Sequence, residues 1–400
     1  MKTVGIVAEY NPFHFGHEYH IEKTRERLGD CLIVCVMSGD FVQRGEPALF
    51  SKYARAEAAI GCGADLVMEL PLPWALSSAE GFARGAVGLL EDMGADHISF
   101  GSESGDIAAI EKAAEALLSE DFSSIIKKIL KKETEISFAA ARDKALNELI
   151  GDSAAVIRSA NDTLAVEYVK AIKMLGSRIE PIAVKRQGNG HDIAGETGFL
   201  SASDIRRRFF MGEDISELVP VAAAKVFKEE ISAGRVTEKE LFDTAALARL
   251  RGFDTEYFSS LPDCSDGLGQ RLYKESRVCT SLDELYAAAK TKKYAMSRVR
   301  RACMCAVLGI REGMNEGRAP YAKVLAANDK GCKLLRTISD KKSIPLITKP
   351  AKINKYDNIL QNLYAIGVYA HDITALCYSD RSMRTGAKEW QISPKIVKCE

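Results

Sequence analysis

A chain of 400 residues, 46% hydrophobic and 28% charged, has the composition of folded globular protein with two or three domains, which excludes the disordered and low-complexity classes. No apolar run approaches the roughly 20 residues of a bilayer span, and Glu9 cuts the Val4 to Ala8 stretch short, so a cytoplasmic protein without membrane partners is expected. The 55 basic and 55 acidic side chains cancel, but residues 291–350 hold 14 Lys and Arg against 4 Asp and Glu, so an acidic body carries one basic segment. Such clustering is the footprint of a polyanion partner, or else the solvated face of a helix. Ten cysteines without a C-x-x-C pair indicate neither disulfides nor a zinc knuckle.

Thr3 to Val7 reads as a buried strand, followed by a loop at Asn11-Pro12 and a helix from about His14. Leu32 to Met37, Asp65 to Glu69, His97 to Phe100 and Pro181 to Lys185 are further strand-like runs. Helical stretches at Ser51 to Cys62 and Ser78 to Met93 alternate with them, and another helix opens at Ser201 to Asp204. The alternation predicts an α/β fold, a Rossmann-like doubly wound parallel sheet with ligands at the carboxyl ends of its strands. After Met211-Gly212 the pattern changes. Residues 213–317 read as mainly helical, interrupted at Asp263-Cys264-Ser265-Asp266-Gly267, with a basic helix from about Tyr294. A strand at Tyr321 to Ala327, a helix at Lys330 to Ile338 and a strand at Pro345 to Thr348 then predict a small α/β element. The division is therefore 1–212 for a catalytic domain and 213–400 for a mainly helical region.

Neither a P-loop nor G-x-G-x-x-G comes after the first strand. That place is taken by His14-Phe15-Gly16-His17 at a helix start. Histidines three apart project to one side, Gly16 offers close approach to a nucleotide, and the helix N-terminus adds N–H donors, which together suit reaction at the α-phosphate of ATP. Two other readings stay open for the residues alone. His20 extends the spacing towards a zinc set, although the chain has just three other histidines, His97, His191 and His371, and both could be ordinary helix histidines.

The run Gly5-Ile6-Val7-Ala8-Glu9-Tyr10-Asn11-Pro12-Phe13-His14-Phe15-Gly16-His17 resembles the strand, loop and H-x-G-H start of the nucleotidyltransferase superfamily. Ser38-Gly39-Asp40-Phe41-Val42-Gln43-Arg44-Gly45-Glu46-Pro47-Ala48, Phe100-Gly101-Ser102-Glu103, Ser159-Ala160-Asn161-Asp162, Lys185-Arg186 and Leu200-Ser201-Ala202-Ser203-Asp204-Ile205-Arg206 extend the likeness to one bacterial family, the tRNA(Met) cytidine acetate ligases. The resemblance implies that acetate and ATP give acetyl-adenylate, whose acetyl group passes to the exocyclic amine of the wobble cytidine of elongator tRNA(Met). It places the ATP site on Val7 to His20 with Gly101, Asn161 and Arg186. Phe15 departs from the polar residue, usually Asn, expected between the first His and Gly.

Rival structural roles accompany these positions. Gly101 is a backbone approach point or a turn glycine, Asn161 a ligand or a helix cap, and Lys185 and Arg186 a phosphate grip or solvated rim charges. Ser201-x-x-Asp204 fits a capping box, while Ser201, Ser203 and Arg206 resemble the superfamily's second phosphate clamp. Asp40 is a candidate to orient substrate or a magnesium ion, and Lys52 to offset phosphate charge. Lys292, Lys293, Arg298, Arg300 and Arg301, in the looser part of the match, are the candidate tRNA contacts. The rival functions are an adenylyltransferase acting on a small cofactor precursor and an RNA-binding protein whose nucleotide site has lost activity.

Overall fold

The computed structural model of the chain describes residues 1–133, 136–186, 199–264, 267–341 and 344–398; His191 and the Ser265-Asp266 part of the predicted interruption lie outside them. The first strand, β1 (Lys2–Ala8), leads into α1 (Phe15–Leu28) and β2 (Cys31–Ser38). A small hairpin, β3 (Phe41–Val42) and β4 (Glu46–Pro47), precedes α2 (Lys52–Gly61) and β5 (Leu66–Leu70). Further strands are β6 (His97–Ser102), β7 (Glu180–Lys185), β8 (Ala322–Ala327), β9 (Leu346–Ile347) and β10 (Lys395–Ile396). The central strands are nearly continuous apolar runs because helices cover both faces; every residue of β2 and β5 is buried.

The strand order is β10-β8-β5-β2-β1-β6-β7, with β9 on β8. The chain runs outward from β1 through β2 to β5, then returns to the other side of β1 for β6 and β7, all parallel. The order therefore reverses beside β1, and a crevice opens at the carboxyl ends of β1 and β6, where doubly wound sheets bind ligands.

The sheet is mixed rather than wholly parallel. β8 pairs antiparallel with β5, and β9 and β10 pair parallel with β8. The small α/β element expected after the helical part thus has the predicted elements but joins the first sheet, where it covers the edge that β5 would otherwise expose. Leu325 and Ala326 of β8 belong to the same apolar cluster as Val4, Ile33 and Val67. The helices between residues 239 and 308 gather around their own cluster, which includes Phe242, Leu272, Val299 and, from the hairpin, Phe41. No helix among the described residues is long and apolar enough to cross a membrane.

Candidate active site

His14 is the N-cap of α1, with extended backbone, and its Nδ1 accepts a hydrogen bond from the Gly16 N–H at 3.0 Å. His17 Nδ1 in turn accepts from the His14 N–H at 3.2 Å. Both Nδ1 atoms being acceptors, each neutral ring carries its proton on Nε2. The rings lie 3.9 Å apart between centroids. Gly16 is required by this cap more than by a nucleotide, because a Cβ there would meet His14 Cε1 at 2.8 Å.

Burial, reinforced by the Arg186 charge, lowers the His14 pKa to about 3 and the His20 pKa to about 4. His17 is pushed well below its ordinary value by burial, then by His14, Arg186 and His20. The rings are thus N–H donors at neutral pH, not imidazolium cations. Thr24 donates to the His20 carbonyl at 2.8 Å, so the Ser99 hydroxyl, 2.7 Å from Thr24 Oγ1, donates to Thr24 and accepts from His20 Nε2–H at 2.9 Å. Nothing in this wiring resembles a zinc set: two Nδ1 lone pairs are committed to backbone donors, and among the described residues no three His, Cys, Asp or Glu are placed to hold a metal.

The histidines open into a cavity of about 240 Å³ at the switch point. Its base is Val7 and Ala8 at the end of β1 and Glu9 and Tyr10 just after it, with Gly101 from β6 and Arg186 just past β7. Gln43 and Arg44 of the hairpin turn form one wall; Asn161, Leu164 and Tyr168 form another. The last three lie on one face of the helix Ala160–Leu175, at the i, i+3, i+7 spacing that would have betrayed them in sequence. Tyr19, Phe82, Phe100, Ala160, Val184, Phe199 and Leu200 complete the described lining beside Ile6, His14, Gly16, His17 and His20. Tyr19 falls inside the expected Val7 to His20 stretch; sequence reasoning gave the other six no role, nor Gln43 and Arg44, although several fall inside the motif runs.

Asn161 is held by a reciprocal clamp. Glu103 accepts from the Asn161 side chain and from the Asp162 N–H, capping the helix, while Asp162 accepts from the N–H groups of Glu103 and Ser104. Both the Gly101-Ser102-Glu103 and Ala160-Asn161-Asp162 motifs thus serve one joint.

Other candidates stand behind the cavity rather than in it. Asn11 Oδ1 accepts from Leu49 N–H at 2.8 Å, Pro12 is buried, and Phe13 is a core side chain. Phe15, where the sequence departs from the expected polar residue, is 37% exposed and does not line the cavity. Lys185 is exposed at the end of β7, its stem over Gly105. Ser201 caps its helix, with Asp204 N–H donating to its Oγ at 3.2 Å. Arg206 donates to the Asn11 carbonyl at 2.6 Å and to Glu46 at 2.8 Å, with Ser203 Oγ at 3.5 Å, and so ties the loop after β1 to the hairpin.

Asp40 and Lys52 are brought to each other, not to the cavity. The Lys52 ammonium sits 2.8 Å from Glu69, 2.7 Å from Glu389 and 3.5 Å from Asp40, while Lys323 also pairs with Glu389. Asp40 Oδ2 lies 3.1 Å from His371 Nδ1, and its Oδ1 accepts from the Lys52 N–H. Burial alone would raise the Asp40 pKa, but Lys52, His371 and Arg55 outweigh it and hold the carboxyl far below its ordinary value. With both oxygens engaged, Asp40 does not fit the expected role of orienting a magnesium ion.

Arg55 was not anticipated. Fully buried, its guanidinium donates to the carbonyls of Phe50 at 3.0 Å, Glu9 at 2.5 Å, Ser38 at 3.2 Å and Gly39. One side chain therefore locks the loops that follow β1 and β2 against each other.

A histidine pair capping the helix after the first strand, over the switch point of a doubly wound sheet, defines a HIGH nucleotidyl transferase, and that family's profile matches residues 1–389. The tRNA(Met) cytidine acetate ligase of Acetivibrio thermocellus is 35% identical over 410 residues, 98% of each chain. That of Thermoanaerobacter sp. is 37% identical over 399 residues, 96% of this chain and 97% of its own. The crystal structure of Thermotoga maritima TmcAL bound with alpha-thio ATP superposes over 100% of both chains with a TM-score of 0.92 at 29% identity. The chain belongs to the tRNA(Met) cytidine acetate ligase family.

Proposed function

We propose that this protein condenses acetate with ATP to acetyl-adenylate and transfers the acetyl group to the exocyclic amine of the wobble cytidine of elongator tRNA(Met). The observation that carries this is the pair of imidazoles whose Nδ1 atoms are fixed by backbone donors, leaving two Nε2–H groups beside Arg186 at a helix N-terminus. An acetate oxygen attacks the α-phosphorus, the bond to the β-phosphate oxygen breaks, and pyrophosphate leaves. Charge grows on that leaving group, where preorganised N–H donors, a guanidinium and the positive end of α1 stabilise it. The cytidine amine then attacks the acetyl carbonyl, AMP departs, and the nitrogen releases a proton. No covalent enzyme intermediate is needed.

The names of full-length relatives support tRNA(Met) as acceptor, and the ATP analogue in TmcAL supports the nucleotide. The Lys292 to Arg301 stretch is the proposed tRNA contact. Labelled pyrophosphate exchange into ATP should require acetate, and mass spectrometry of tRNA(Met) should show one acetylcytidine at the wobble position. His17→Ala should abolish exchange with unchanged circular dichroism. Exchange without acetate, or tRNA acetylation from acetyl-coenzyme A alone, would refute the ligase reading.

A further inference from the structure

The proposed reaction brings two anions together, a triphosphate and a carboxylate, and among the described residues the cavity presents two cationic side chains, Arg44 and Arg186. They have different neighbours. Arg186 lies against Gly101 and beside the three histidines, all of which it disfavours from protonating. Arg44, on the hairpin turn, stands near Glu9, whose pKa is raised by burial while the Arg44 charge opposes that rise.

The Arg44 end is built rather than accidental. Glu9 Oε1 accepts from the Gln43 N–H at 2.9 Å, and the Gln43 amide donates to the Ser77 carbonyl at 3.2 Å, fixing the turn on both sides. Gly45 follows with φ of 80° and packs so closely on the helix Met296–Leu308 that a Cβ would meet the Arg300 carbonyl carbon at 2.6 Å. Arg44 is thus mounted on a turn held at three points. Phe82 and Tyr168 line the same cavity, and Tyr168 lies close enough to Glu9 for that carboxylate to raise its pKa beyond the effect of burial.

We infer that the Glu9–Gln43–Arg44 end of the cavity is the acid subsite, where Arg44 holds the carboxylate of a short carboxylic acid and Phe82 and Tyr168 close on its alkyl end. The inference rests on the ligase reading and adds a division of labour, with Arg186 and the histidines serving phosphate and Arg44 serving the acid. A guanidinium suits a carboxylate through charge-assisted, paired hydrogen bonds. Aromatic walls limit the length of the acid, by roughly 10- to 200-fold per added methylene.

The test is the Michaelis constant for each substrate in acetate-dependent pyrophosphate exchange, measured on wild type, Arg44→Gln, Arg44→Lys and Arg186→Gln. Arg44→Gln should raise KM for acetate on the order of tenfold or more, the loss of one charge-assisted contact, with KM for ATP little changed. Arg44→Lys should lie between, and Arg186→Gln should show the opposite pattern. Phe82→Leu should narrow the preference for acetate over propionate. An Arg44→Gln enzyme with wild-type KM for acetate, or with both constants raised equally, overturns the inference while leaving the ligase reading intact. A wild-type protein that binds ATP but never exchanges pyrophosphate on adding acetate overturns the reading itself, and the acid subsite with it. Arg44 is exposed, so its variants should keep the wild-type melting temperature and report on binding alone.

Discussion

His14 and His20 are held neutral by their surroundings, and this has a sign that can be tested. Their pKa values in the folded protein, about 3 and about 4, lie below the ordinary value of 6.5. Between those limits the unfolded chain binds more protons than the folded one, so acid favours unfolding. The stability they supply is complete above about pH 6.5 and is lost as pH falls towards 4 and then 3. His20→Gln keeps an amide able to reach Ser99 but cannot take up a proton. Its urea midpoint should therefore fall less between pH 7 and pH 4.5 than that of wild type. Parallel pH profiles for the two proteins would mean that His20 is not a buried neutral ring.

At the scale of elements, the hairpin decides where Gln43 and Arg44 stand. Strands of two residues are too short to hold themselves together, and beyond the hairpin's own bonds, Gly45 N–H to the Val42 carbonyl and Ala48 N–H to the Asp40 carbonyl at 2.9 Å each, its support comes from elsewhere. Phe41 packs on Phe242 with ring centroids 5.7 Å apart, Glu46 pairs with Arg206, and Gly45 lies on the backbone of the helix Met296–Leu308. Gly45→Ala adds a Cβ where none fits and forces an L-residue to a φ of 80°, a conformation that costs roughly 1–2 kcal/mol before any clash. The melting temperature should drop, and KM for acetate should rise more than KM for ATP. A variant matching wild type in both would show that the turn does not set the acid end of the cavity. The hairpin was invisible in sequence for the same reason that it needs support: two residues carry no periodicity. β1, β2, β5 and β6 were legible because burial on both faces writes a nearly continuous apolar run, the edge strand β7 by the short apolar stretch Pro181 to Val184, and α1 because it follows the Asn11-Pro12 loop.

Across the whole molecule, polar residues near the site could not be sorted by sequence into those facing ligand and those facing one another. Asp40 meets His371 from 331 positions away, and Lys52 meets Glu389, so only the completed fold shows that both are interior. The basic segment has the same history. Lys323 is buried against Glu389, Arg318 pairs with Glu91 and Asp92, Lys330 with Asp30, and Arg300 faces Glu46 at 3.8 Å. Burial lowers the Arg301 pKa, and Arg298 donates to the Asp263 carbonyl. Much of the excess charge that marked the segment therefore balances the body it packs against. Arg301→Glu would put an anion into a half-buried site and should cost stability as well as binding. Lys292 and Lys293 are exposed on the turn before the helix and can address a phosphate backbone directly. Replacing both by Glu should weaken tRNA(Met) binding, and the defect should shrink as salt rises, since released counterions drive such contacts. The logarithmic salt slope should become shallower than that of wild type, by about 0.7 to 0.9 for each phosphate contact removed. Acetate-dependent pyrophosphate exchange, which needs no tRNA, should keep its wild-type rate. Unchanged tRNA affinity at low salt would take this turn off the binding face and move the search to Lys333 and Arg336, exposed on the helix Asp329–Lys341.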